Sequence, residues 1–69
     1  MNPARVHAGK RLVRSIATRL DSSVPAVLAA ERYVTDRLES GDNVWDAANT
    51  AGTILVREFV NKERSAWTS

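Results

Sequence analysis

The chain has 69 residues, a single histidine and no cysteine, with ten basic and eight acidic side chains for a net charge of +2. These numbers exclude a disulfide framework, a thiolate metal site and a cysteine nucleophile, and they leave room for one domain at most. No run of about 18 apolar residues is present to span a membrane, and no segment has the layout of a secretory signal.

The charge is unevenly placed. Arg5, Lys10, Arg11, Arg14 and Arg19 precede the first acid, Asp21, while the other 49 residues carry five basic and eight acidic side chains. A basic leading segment joined to a mildly acidic body points to an anionic or acidic partner. The Arg-rich, acid-free start also has the composition of a mitochondrial presequence. Removing it would take away much of the apolar surface, so it is read as part of the fold and the protein is expected to be cytoplasmic.

Asn2 followed by Pro3 reads as an N-cap and first helical position. From there Val6, Gly9, Val13, Ile16 and Leu20 recur at 3-4-3-4 spacing, which puts them on one face of a helix over about 3–20. His7, Lys10, Arg11 and Arg14 fall on the opposite face, and Arg5 and Arg19 flank the stripe. Gly9 costs such a helix up to about 1 kcal/mol unless another backbone packs against it.

Asp21, Ser22 and Ser23 break the pattern. Ser23 is a good N-cap and Pro25 is tolerated in a first turn, so a second helix is expected over about 23–40, with Gly41 as its C′ residue. Val24, Val27, Leu28, Val34 and Leu38 form its expected apolar side. Asn43 caps a third helix over about 43–64, and Asp46 lies in the favourable field of its N-terminus. That helix is the most apolar segment, with Trp45 expected to anchor the core and Val44, Ala48, Ala51, Gly52, Leu55, Val56, Phe59 and Val60 to form its spine. Residues 65–69 read as a frayed tail that leaves Trp67 exposed or docked on a partner. No segment alternates with a period of two, and both connections are short. The expected fold is therefore all-α, a small three-helix bundle in a single domain over 1–69.

One stretch, Ile16-Ala17-Thr18-Arg19-Leu20-Asp21-Ser22-Ser23-Val24-Pro25-Ala26-Val27, resembles the helix-turn-helix core of bacterial DNA-binding proteins. Ile16, Ala17, Leu20, Ser23 and Val27 stand where that family places its packing and capping residues. The resemblance implies a recognition helix starting at Ser23 and a DNA-binding regulator, expected as a dimer. Arg14, Arg19, Ser23 and Arg32 would carry its nucleic-acid contacts. The chain departs from the pattern at Asp21, where glycine is usual, and at Ser22, which is usually apolar. It departs again in Val24, Pro25, Ala26, Leu28 and Ala29, which offer no donors for reading base edges. The plain corner of a small bundle is preferred over DNA reading. Gly41 to Gly52 looks like the start of a helix-turn-helix of phage and transposase regulators, but Thr53-Ile54-Leu55-Val56-Arg57 continues as an apolar helix with no turn. Ala48 and Gly52, four apart, read instead as a face that lets another helix approach closely.

The basic face of the first helix has a plain reading, in which it docks onto the body's own acids: Glu31, Asp36, Glu39, Asp42 and Asp46. As a nucleic-acid surface it would neutralise phosphates without reading sequence. As a membrane-surface helix it lacks Trp and Phe, and no membrane partner is expected. His7 has no sequence-near partner for a metal or a catalytic pair, and the three glycines form no phosphate loop. The expected function is non-enzymatic, with no cofactor and no metal: a small bacterial or phage protein that docks onto an acidic protein or self-associates. Lys10, Arg11, Arg14 and Trp67 are the candidate contact residues, Trp67 because exposed Trp dominates interface energetics.

Overall fold

The computed structural model describes residues 3–68, so the capping role read for Asn2 lies outside the described residues. Three helices form: α1 (Pro3–Leu20), α2 (Val24–Glu39) and α3 (Val44–Thr68). Each packs against both others, and no strand occurs among the described residues.

The caps explain the boundaries. Ser22 N–H bonds back to the Ala17 carbonyl at 3.0 Å and Asp21 N–H to Thr18, closing α1 with Asp21 at a φ of +49°. Asp42 N–H to Arg37 and Gly41 N–H to Leu38 close α2 the same way, with Gly41 at a φ of +96°. Both are Schellman ends, which need a left-handed residue at C′. Ser23 caps α2, its hydroxyl accepting from Ala26 N–H at 3.4 Å. Asn43 Oδ1 accepts Trp45 N–H at 2.8 Å and starts α3, with Asp46 in the first turn.

The connections are too short for anything but hairpins. Gly9 lies against Leu38 and Val34, Arg14 reaches Glu31 and Arg5 reaches Asp42, so α1 and α2 run antiparallel along their length. Ser23 meets Glu58 while Gly52 faces Ile16, so α3 turns back antiparallel to α2 and parallel to α1. The bundle measures 46 × 17 × 17 Å. The steep crossing of a helix-turn-helix, about 90–120°, is not formed at residues 21–23; that segment is the tip of a hairpin.

Small side chains dominate the core. Its buried residues are Val13, Ala17, Ala30, Val34, Leu38, Ala47, Ala48, Ala51 and Leu55. Alanine rows let helix axes approach closely, and Gly9 and Gly52 extend that close packing at α1–α2 and α1–α3. Gly9 is packed closely, by the Leu38 and Val34 side chains and not by a backbone.

Four expectations are corrected. Trp45 does not anchor the core and is 65% exposed. Val44 takes the inward position at the start of α3, and the next residue is turned about 100° away. Val24 and Leu28 do not lie on the buried side of α2 and are 71% and 60% exposed. There Ala30, Val34 and Leu38 form the inward row. Val56, Phe59 and Val60 are exposed as well, because α3 faces the bundle with Ala47, Ala48, Ala51 and Leu55. Finally, α3 does not end near residue 64: no glycine or proline interrupts 62–67, and the helix runs on to Thr68.

Candidate functional site

The third helix has 25 residues against 18 and 16 in the others, so it outruns the bundle. At about 100° per residue, Trp45, Asn49, Gly52, Val56, Val60, Glu63 and Trp67 share one sector of α3, with Phe59 at its edge. Gly52 is covered by Ile16 of α1. The rest of the sector is open: Trp45, Val56, Phe59, Val60 and Trp67 are all exposed, Trp67 to 86%. Trp67 is also held on a helix, which fixes its direction along the stripe.

At the lower end the stripe widens into the α1–α3 groove. Ala8, Arg11, Leu12, Val44 and Trp45 line an open depression of about 430 Å³ there. At the upper end α3 is braced to the α1–α2 turn. Ser23 donates both its backbone N–H (3.0 Å) and its hydroxyl to the Glu58 carboxylate, and Lys62 Nζ donates to the Asp21 carbonyl at 3.1 Å. The Ser23 hydroxyl, then its backbone N–H, holds the Glu58 carboxyl below its ordinary pKa; burial opposes the shift and Lys62 adds to it. At the opposite end the Arg37 guanidinium is pushed above its ordinary value by its 2.6 Å hydrogen bond to Asp42.

The basic residues of α1 do not form one surface. Lys10, Arg14 and Arg32 line a shallow α1–α2 groove together with Leu28, Glu31, Thr35 and Asp36. Arg14 is tied there to Glu31 at 3.1 Å. Arg11 lies on the other side, in the α1–α3 groove beside Trp45. Arg19 shares the α1 flank of Ala8 and Leu12 by its spacing of i+11 and i+7. Ser23 is engaged with Glu58 and Ala26. Of the residues named for DNA, the structure brings Arg14 and Arg32 together and leaves Arg19 and Ser23 apart from them. Of those named for a protein partner, Arg11 falls on the side of α3's apolar sector, Lys10 and Arg14 do not, and Trp67 ends the stripe itself.

The plain reading of the basic face, docking onto the body's acids, holds at one pair: Arg14 with Glu31. Arg5 reaches Asp42 through the backbone carbonyl, not the carboxylate. His7 is exposed, and among the described residues no group of three His, Cys, Asp or Glu could hold a metal ion. Sequence reading missed the open stripe because it assigned Trp45, Val56, Phe59 and Val60 to the core. The available signal was the second apolar row at 45, 56, 60 and 67, offset from the Ala47–Ala51–Leu55 row by about 150°. Compared with protein-family models, curated proteins and solved structures, the chain matches none of them.

Proposed function

We propose that this protein works by docking another protein along the exposed apolar stripe of α3 and catalyses no reaction. The carrying observation is the solvent exposure of two tryptophans, a phenylalanine and two valines on one sector of a helix that outruns its bundle. Together these side chains offer on the order of 500 Å², comparable to the largest apolar patch of a typical monomer, which is often functional. A partner covering that patch would bury about 1,000 Å² in total, the lower end for a specific interface. The two tryptophans at its ends supply the residue type most enriched among interface hot spots.

Photo-crosslinking tests the reading. A benzophenone side chain is placed at Val60 or Trp67, on the stripe, and at Ala29 or Asp36, on the exposed back of α2. In cells expressing the protein, the stripe positions should crosslink to one common protein that the α2 positions do not capture. Equal capture from both faces, or none from the stripe, refutes the proposal. A duplex-DNA anisotropy titration at about 50 and 200 mM salt checks the nucleic-acid alternative; binding that weakens on the order of 10³-fold would replace protein docking with phosphate contact.

A further inference from the structure

The docking stripe has two edges, and each carries a net positive charge. On one edge stand Arg57 and Arg64 of α3, seven apart and therefore in line along the helix, both exposed. On the other stand Arg11 and Arg19 of α1, also exposed, with Arg11 lining the groove beneath Trp45. Among the described residues, Arg11, Arg19 and Arg57 make no ion pair. Two acids belong to this surface: Glu63 within the sector, and exposed Asp46 beside Trp45 in line with Arg57 and Arg64. Of the acids of α2 and the α2–α3 turn, Glu31 is directed to Arg14 across the α1–α2 groove and Asp42 to Arg37.

Resting on the docking reading above, we infer that the occupant of this stripe is an acidic amphipathic helix, apolar on one face and flanked by Asp and Glu on both sides. Its length follows from the stripe. Trp45 to Trp67 spans 22 residues, or about 33 Å at 1.5 Å per residue, so the occupant needs six turns to cover it. Its charge follows from the rims. Cations on both edges attract carboxylates whichever way the incoming helix runs, and they speed its capture.

The same rims disfavour a second copy of this chain. In a two-fold contact the same patch meets itself. Parallel packing sets the α1 rim of one copy against the α3 rim of the other; antiparallel packing sets each rim against its own counterpart. Either way arginine meets arginine, offset in part by Glu63 and Asp46, which leaves four rim cations, Arg11, Arg19, Arg57 and Arg64, against two acids on each copy. The acid-recognising residues are accordingly Arg11, Arg19 and Arg57, not Lys10 and Arg14, which face the α1–α2 groove.

Two designed helical peptides of about 22 residues test this. They share one leucine stripe and differ only in having Glu or Lys at every flanking position. Binding is read by anisotropy of a fluorescein label on the peptide. The Glu peptide should bind at least 10-fold more tightly than the Lys peptide at about 50 mM salt, with the preference shrinking at about 500 mM. The triple variant Arg11→Glu, Arg19→Glu, Arg57→Glu should invert the preference. The exposed-site variant Val60→Ala/Trp67→Ala should weaken both peptides, and circular dichroism of each variant checks that the helices persist. Equal binding of the two peptides, with loss in Val60→Ala/Trp67→Ala, overturns the acidic partner and leaves the docking stripe standing. Binding indifferent to Val60→Ala/Trp67→Ala, or no binding of either peptide, overturns both. A stable dimer of the chain alone in sedimentation equilibrium overturns the acidic occupant in favour of a second copy.

Discussion

Replacing Gly9 by alanine sets two effects of known size against each other. Alanine in a helix interior is favoured over glycine by about 1 kcal/mol. In this structure, however, a Cβ at position 9 would lie 2.8 Å from Leu38 Cδ1 and 3.1 Å from Val34 Cγ2. Leu38 and Val34 are 3% and 0% exposed, so neither can swing into solvent to make room. Overpacking of this kind costs about 1–3 kcal/mol. Gly9→Ala is therefore expected to destabilise by about 1 kcal/mol net. Leu38→Val removes the closest obstructing methyl and by itself costs about 1–2 kcal/mol. In that background the added Cβ occupies the vacated space, so Gly9→Ala should turn stabilising by about 1 kcal/mol. The pair is thus coupled by about 2 kcal/mol, well above the scatter of independent sites. Urea titrations followed by far-UV circular dichroism on the four chains give the cycle. If Gly9→Ala alone stabilises by the full helix-propensity difference, or the two changes simply add, α1 and α2 do not approach at this point and the packing argument fails.

Three further outcomes follow from the same structure. Leu55 is the largest fully buried side chain, so Leu55→Ala should cost about 2–5 kcal/mol through lost burial and an unfilled cavity, enough to leave a chain of this size largely unfolded in a thermal melt. Asp21 closes α1 in a left-handed conformation that glycine adopts freely; Asp21→Gly should raise stability by about 0.5–1 kcal/mol, read as a melting-temperature increase of a few degrees, and a decrease would contradict the Schellman end. Glu58 has a folded pKa below its ordinary value because Ser23 donates to it. Its contribution is full above the unfolded pKa and is lost as pH falls through the lower folded value. Melting temperatures should therefore drop on acidification, and Glu58→Gln should flatten that dependence; an unchanged slope would show that the Ser23–Glu58 clasp is not formed.

What was legible in the chain was local. Ser23, Asn43 and Gly41 announced their helix ends because a cap acts through atoms within a few residues of itself. The spacing of Val6, Gly9, Val13, Ile16 and Leu20 identified the inward face of α1 because only one row of that helix is apolar. Asp21, noted as a departure from a helix-turn-helix turn, proved to be the left-handed closing residue of α1. The helix-turn-helix resemblance itself did not survive as geometry, since a Ser-capped turn looks the same whether the second helix crosses steeply or folds back antiparallel.

The sequence by itself determined three helices, their order, the caps at Ser23, Gly41 and Asn43, and the charge asymmetry. Only the tertiary structure decided which apolar rows are buried. In α2 and α3 two separate rows are both apolar: Val24 and Leu28 as well as Ala30, Val34 and Leu38, and Trp45, Val56 and Val60 as well as Ala47, Ala51 and Leu55. Periodicity cannot choose between them, and the preference of large residues for interiors chooses wrongly here. Three helices packed within 17 Å of cross-section are brought together through their smallest side chains. The alanine rows turn inward, and the tryptophans and Val60 are left on the surface, where the α3 stripe takes its shape.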